Sequence, residues 1–243
     1  MTQSGRVSRY VPPFSTGDRM DRRAFHALYE QTPPRFNAEL IAGVVHVSPP
    51  AGLRHTQPRA RLAGWAGRYA DDTPGVNALP STTTFLGSDS EPQPDLTLRI
   101  DPDRVGGQTQ STAEGYVSGP AELVVEVAES PADFELRVKK ADYQRYGVRE
   151  YLVVVVGVAR VVWFSRSGDR LVELTPDADG LLKSRVFPGL WLDAAAVFAD
   201  SNRRLTAALR RGLATPDHAA FVARLAAKAA RHRGKKPPAQ EAR

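Results

Sequence analysis

Glu126 stands inside Leu-Val-Val-Glu-Val, a run with the composition of a strand buried on both faces. A lone carboxylate there costs several kcal/mol unless it is paired, protonated or bound to metal. Val124 and Ala128 share its face, because side chains alternate along a strand. Asp95 follows Pro94 and opens an apolar strand, Asp95 to Ile100. Lys139 and Lys140 lie on the helix that follows the Glu126 strand. Glu39 precedes the hairpin turn Ala42-Gly43, and His55 opens the next helix.

Each residue alone has a plainer reading. Glu126 could end its strand and reach solvent or an arginine. Pro-Asp is common in turns. Lys139 lies four residues after Glu135, the spacing of a surface ion pair worth about 0.3–0.5 kcal/mol. Glu39 and His55 could be surface groups. Taken together, they can do chemistry. Two carboxylates at strand mouths offer the hard oxygen ligands that Mg²⁺ or Mn²⁺ takes. Such an ion polarises a phosphodiester and helps to ionise water. A lysine would orient that water and stabilise the developing charge. No Gly-x-x-x-x-Gly-Lys phosphate loop and no Gly-x-Ser-x-Gly nucleophile elbow is present.

Composition narrows the classes. Without cysteine, disulfides and thiolate metal sites are excluded. Five scattered histidines argue against structural zinc. The net charge of +6 lies mostly beyond residue 200 and fits a polyanionic partner or simple solubility. The longest apolar run, Tyr151 to Val156, is strand-sized, far short of the roughly 20 residues that span a bilayer. No signal peptide is apparent, so a soluble cytoplasmic protein is expected.

The elements that must position these residues follow from pattern. Asp21 to Tyr29 reads as a short helix, and Phe36 to Ile41 with Val44 to Ser48 as a hairpin that Pro49-Pro50 ends. Leu53 to Tyr69 is helical, with Leu62, Trp65 and Tyr69 at helical spacing. Val76 to Leu86 reads as one strand, and residues 101–119 as a long loop. Glu122 to Ala128, then Ala132 to Tyr146 as a helix burying Phe134, Val138 and Ala141, then Glu150 to Val156, make a strand–helix–strand unit with a parallel pair. Gly147 caps the helix. Arg160 to Phe164, Leu171 to Leu174 and Leu181 to Val186 complete the sheet. Two Ala/Arg/Leu-rich helices fit 201–213 and 216–232, ahead of a basic tail. The expected fold is α/β, with a mixed β-sheet flanked by helices. Residues 1–20 are expected to be flexible.

The motif string resembles a known family. Phe36-Asn37-Ala38-Glu39-Leu40-Ile41-Ala42-Gly43-Val44-Val45, followed by Ser48-Pro49-Pro50, resembles its Tyr-Glu-Leu-Ile-x-Gly-x-Val and Ser-Pro-Pro signature. His55-Thr56-Gln57, Pro94-Asp95-Leu96 and Val124-Val125-Glu126-Val127 resemble its next three elements. Lys139, Tyr143 and Gly147 match its Lys-x3-Tyr-x3-Gly, and Phe187-Pro188-Gly189-Leu190-Trp191-Leu192 its closing motif. This is the Uma-two family, in the restriction-endonuclease-like PD-(D/E)XK superfamily. The resemblance covers about residues 36 to 198. It implies a restriction-endonuclease-like domain over 21–200, with a helical extension over 201–243. It also implies Asp95 and Glu126 as metal ligands, Lys139 as the catalytic lysine with Lys140 as fallback, and Glu39 in support. His55 and Lys140 are candidate substrate contacts. Glu129 departs from the family pattern by intervening before Ser130-Pro131.

The expected activity is Mg²⁺- or Mn²⁺-dependent hydrolysis of DNA, with homodimerisation left open. A catalytically inactive DNA-binding or regulatory module of the same fold is the alternative. A third reading makes the C-terminal helices a partner-binding surface.

Overall fold

Residues 10–49, 52–129, 132–199 and 201–233 are described by the computed structural model. The residue range 1–9, the expected strand end at Pro50, Ser130-Pro131 and the basic tail from 234 lie outside them.

Helix α1 (Arg22–Tyr29) starts where Asp21 accepts the Ala24 amide at 2.9 Å. Strands β1 (Ala38–Ile41) and β2 (Val44–Val47) form the expected hairpin. Helix α2 (Leu53–Asp71) follows. Next come β3 (Val76–Pro80), β4 (Thr84–Phe85) and β5 (Leu96–Ile100). A short helix α3 (Pro102–Val105) leads to β6 (Gln110–Ser111), β7 (Val117–Ser118) and β8 (Leu123–Ala128). A π-helical stretch, Phe134–Lys139, runs into α4 (Lys140–Tyr146). Beyond it lie β9 (Glu150–Val155), β10 (Arg160–Ser167), β11 (Arg170–Glu173), β12 (Leu182–Lys183) and β13 (Trp191–Leu192). Helices α5 (Arg203–Leu213) and α6 (Pro216–Arg233) complete the described chain.

Among the described residues the main sheet runs β11-β10-β9-β8-β5-β3. Strands β8 and β9 are parallel and the other neighbours antiparallel. The parallel pair sits at the centre and is buried on both faces, which accounts for its valine content. One face, with Leu123, Val125 and Val127, packs against Leu62, Trp65 and Tyr69 of α2. The other face, with Val124 and Ala128, packs against Tyr143 of α4. This is the mixed sheet with flanking helices that the patterning implied.

Several expectations need correction. The single strand expected over Val76 to Leu86 breaks at Ser81, whose φ is +50°. Strand β4 then leaves for a separate sheet with β7 and β6. The expected loop 101–119 therefore contains α3 and two short strands. Leu181 to Val186 does not finish the main sheet; only Leu182–Lys183 is extended, paired with β13. The helix after β8 buries a different face from the one its apolar spacing suggested. Val138 is 44 % exposed and Ala141 is exposed, whereas Lys139, Asp142 and Tyr143 are buried. The reason is the π-helical stretch, in which the Lys140 amide reaches back five residues to the Glu135 carbonyl and shifts the phase. Residues 10–20 run along the hairpin: Phe14 is buried, and the Gly17 amide donates to the Val45 carbonyl at 2.9 Å.

Candidate active site

Leu96 pairs with Val125 between β5 and β8. One step outward, that register sets Asp95 across from Glu126, with both side chains on the α4 face. Asp95 is fixed there by accepting the Val127 amide at 2.7 Å. Glu126 is 4 % exposed and cannot reach water as a strand-end group would.

The π-helical stretch brings Lys139 over these strand ends. Its ammonium lies 2.9 Å from Glu126 Oε1 and 2.7 Å from Glu39 Oε2. The Tyr143 hydroxyl, one turn on, donates to the same Glu126 oxygen at 2.8 Å. The other oxygen of Glu39 accepts the Gln93 amide at 2.7 Å. Arg59 of α2 lies 3.2 Å from Asp95, and the His55 ring nitrogen Nε2 lies 3.5 Å from it.

Electrostatics follow from this packing. Burial pushes the Glu126 carboxyl up to about 8, against the pull of Lys139 and with a further push from Glu39 and Asp95. Burial works to lower the pKa of Lys139, but Glu126 and Glu39 outweigh it and hold the ammonium charged. Burial also lowers the His46 pKa; this ring lies opposite Glu39 in the hairpin.

The structure thus brings together Asp95, Glu126, Lys139 and Glu39, with His55 at the Asp95 edge. It does not bring in Lys140, whose ammonium lies 4.4 Å from the centre of the Phe164 ring. Arg59 and Tyr143 were missed as site residues in the sequence. Both stand four residues beyond a named candidate, His55 and Lys139, and so on the same helix face.

The donor chemistry fits a hard divalent cation. With Glu126 ionised, three carboxylates face only two permanent cations, Lys139 and Arg59, so a further positive charge would favour the ionised form. Among the described residues no three His, Asp or Glu side chains close on one point. Asp95 and Glu126 would therefore supply two ligands, with water or phosphate oxygens filling the rest, a common arrangement for Mg²⁺.

Comparison with known proteins bears on this geometry. The Uma2 family model, described as "Putative restriction endonuclease", matches residues 23–195. A crystal structure from Anabaena variabilis, described as "a putative nuclease belonging to DUF820", superposes with a TM-score of 0.51 at 14 % identity. The match covers 75 % of this chain and 97 % of that one, and it shows a shared fold. No curated protein matches this chain significantly.

Proposed function

This chain belongs to the Uma2 family, and from that premise we propose that it is a Mg²⁺- or Mn²⁺-dependent endonuclease hydrolysing DNA phosphodiester bonds. One observation carries the reading: Glu126 and Glu39 converge on the buried ammonium of Lys139, and Asp95 stands across from Glu126 on the neighbouring strand, held by the Val127 amide. Such a cluster is costly to assemble, and replacing its charges by apolar groups would often stabilise a fold. A divalent cation held by Asp95 and Glu126 supplies a Lewis acid and a more acidic water. Lys139, held beside Glu126, would orient a water there and stabilise the charge that develops on the phosphate. Glu39 keeps the lysine charged and aimed. Tyr143 fixes the Glu126 carboxylate, and Arg59 and His55 at the Asp95 edge suit a phosphate oxygen. The expected setting is cytoplasmic; among the described residues no helix is long and apolar enough to cross a membrane.

The test is nicking of supercoiled plasmid with Mg²⁺ or Mn²⁺, with calorimetry of Mn²⁺ binding. Wild type should nick, and Glu126→Ala or Asp95→Asn should fall by a factor of about a hundred or more. Absence of both cleavage and Mn²⁺ binding in wild type would overturn the enzymatic reading. Cleavage of RNA alone would overturn DNA as the substrate.

A second reading draws on the same triad. Lys139 already satisfies one oxygen of each of two carboxylates. A non-catalytic module that binds DNA would show strongly salt-dependent binding without metal-dependent cleavage.

A further inference from the structure

The hairpin that carries Glu39 also carries His46. The two are cross-strand partners, so both side chains leave the same face. Glu39 reaches the Lys139 ammonium at 2.7 Å. His46 reaches Phe134: the ring centres lie 4.2 Å apart, with the planes tilted by 40°. Phe134 and Lys139 are the first and last residues of the π-helical stretch. One face of the hairpin therefore grips this stretch at both ends, by a ring contact at the start and an ion pair at the finish.

The two ends share a side only because the turn is wide. In an α-helix, residues five apart point about 140° away from each other. With i→i+5 hydrogen bonding they come into line. Here the Lys139 ammonium stands 5.6 Å from the centre of the Phe134 ring. A π-helical turn is rare and is frequent at functional sites when it does occur. The contacts that hold this one bear directly on where Lys139 stands. An imidazole suits the place: burial lowers the His46 pKa, Lys139 adds to that shift and Glu39 opposes it. The ring is thus neutral at neutral pH and brings no second positive charge beside the lysine.

We propose that His46 is a positioning residue for Lys139. Packed on Phe134, it fixes the start of the π-helical stretch while Glu39 fixes its end, and the hairpin thereby sets where the ammonium stands over the Glu126 strand. Its effect on cleavage rests on the reading of Lys139 as the site's lysine; the placement itself is measured without substrate.

The experiment is limited acetylation of the folded full chain with acetic anhydride, read lysine by lysine by mass spectrometry, alongside plasmid cleavage. In wild type, Lys139, whose side chain is 5 % exposed, should label slowly, with exposed Lys228 as the internal reference. His46→Ala should speed labelling of Lys139 about three- to tenfold, as loss of one aromatic pair would, and leave Lys228 unchanged. In cleavage it should lower kcat about tenfold with little change in KM. His46→Phe keeps a ring against Phe134 and should restore both readouts. Should His46→Ala fail to fold, Phe134→Leu removes the same contact from the other side and should speed labelling likewise. Val45→Ala is the control, because Val45 points to the opposite face of β2, into the cluster of Phe14, Phe25 and Leu40. It should lower the urea midpoint and leave Lys139 labelling as in wild type. Labelling that follows this pattern in a wild type that cleaves nothing would sink the nuclease reading and still support the role of His46. Unchanged Lys139 labelling once the His46–Phe134 contact is gone, labelling in His46→Phe as fast as in His46→Ala, or an equal rise in Val45→Ala would overturn the assignment.

Discussion

Lys139 is a single ammonium shared by two buried carboxylates, and each oxygen it touches has little other solvation. Taking one member away leaves an uncompensated charge, which costs about 3–5 kcal/mol in buried pairs. Lys139→Met should therefore lower the unfolding free energy by about that much at pH 8. The loss should shrink at pH 5, where Glu126 takes up a proton; urea melts at both pH values check this, and equal losses would contradict the shared-charge account. Tyr143→Phe removes only a donor to Glu126, so about 1.5–3 kcal/mol is expected. In plasmid cleavage it should lower kcat with little change in KM, because Tyr143 positions a carboxylate and touches no substrate. Glu126 was legible because a lone carboxylate inside a valine run is costly to bury; Asp95, in a Pro-Asp pair of the kind common in turns, was legible only together with the rest of the motif string. Lys139 was separable from Lys140 only by its spacing to Tyr143 and Gly147. Arg59 and the donor role of Tyr143 were not legible as site features. Their function depends on where a helix face meets a strand end, which is set by packing.

At the scale of elements, the π-helical stretch Phe134–Lys139 matters most. Apolar spacing proposed a face of Phe134, Val138 and Ala141, yet the chain buries Lys139, Asp142 and Tyr143 instead. A wider turn changes which residues face the sheet, and hydrophobic periodicity assumes a constant turn. Arg145 pairs with Asp142 Oδ1 at 2.6 Å, giving that buried carboxylate a charged partner. Deleting Val138, 44 % exposed, removes the extra residue and re-phases Lys139 against β8. Cleavage should then fall about a hundredfold or more, as misplacement by about an ångström can cost that much. Far-UV circular dichroism should hardly change. Retained cleavage would show that the lysine's placement does not need the π-helical geometry. The break at Ser81 had the same origin: a positive φ at a non-glycine residue leaves no mark in the alternation of polar and apolar residues.

For the whole molecule, the two C-terminal helices were legible as helices but not as core. Leu205, Leu209, Phe221 and Leu225 belong to the same apolar cluster as Trp65 and Trp163. That is tertiary information, since a helix's own sequence does not say which surface its apolar stripe covers. Leu209→Ala should cost about 2–5 kcal/mol, measured by urea denaturation, which a detachable appendage would not show. The buried carboxylates act across the whole fold as well. Burial raises the pKa of Glu91, Glu122, Glu135, Asp142 and Glu150, the last to about 7 from 4.5. Glu126 rises to about 8. A carboxyl raised in the folded state binds its proton more tightly there than in the unfolded chain. Its contribution is therefore complete below the unfolded value near 4.5 and is lost as pH rises through the folded value. For Glu150 alone, in its 4.5 to about 7 window, the loss is on the order of 3 kcal/mol. The denaturation midpoint should thus fall between pH 5 and pH 8. A divalent cation favours the ionised Glu126, so Mg²⁺ should restore more stability at pH 8 than at pH 6. A midpoint that holds or rises from pH 5 to pH 8 without metal would mean these carboxylates are ionised at no cost in the folded protein, and that Glu126 does not gain its charge through a bound cation.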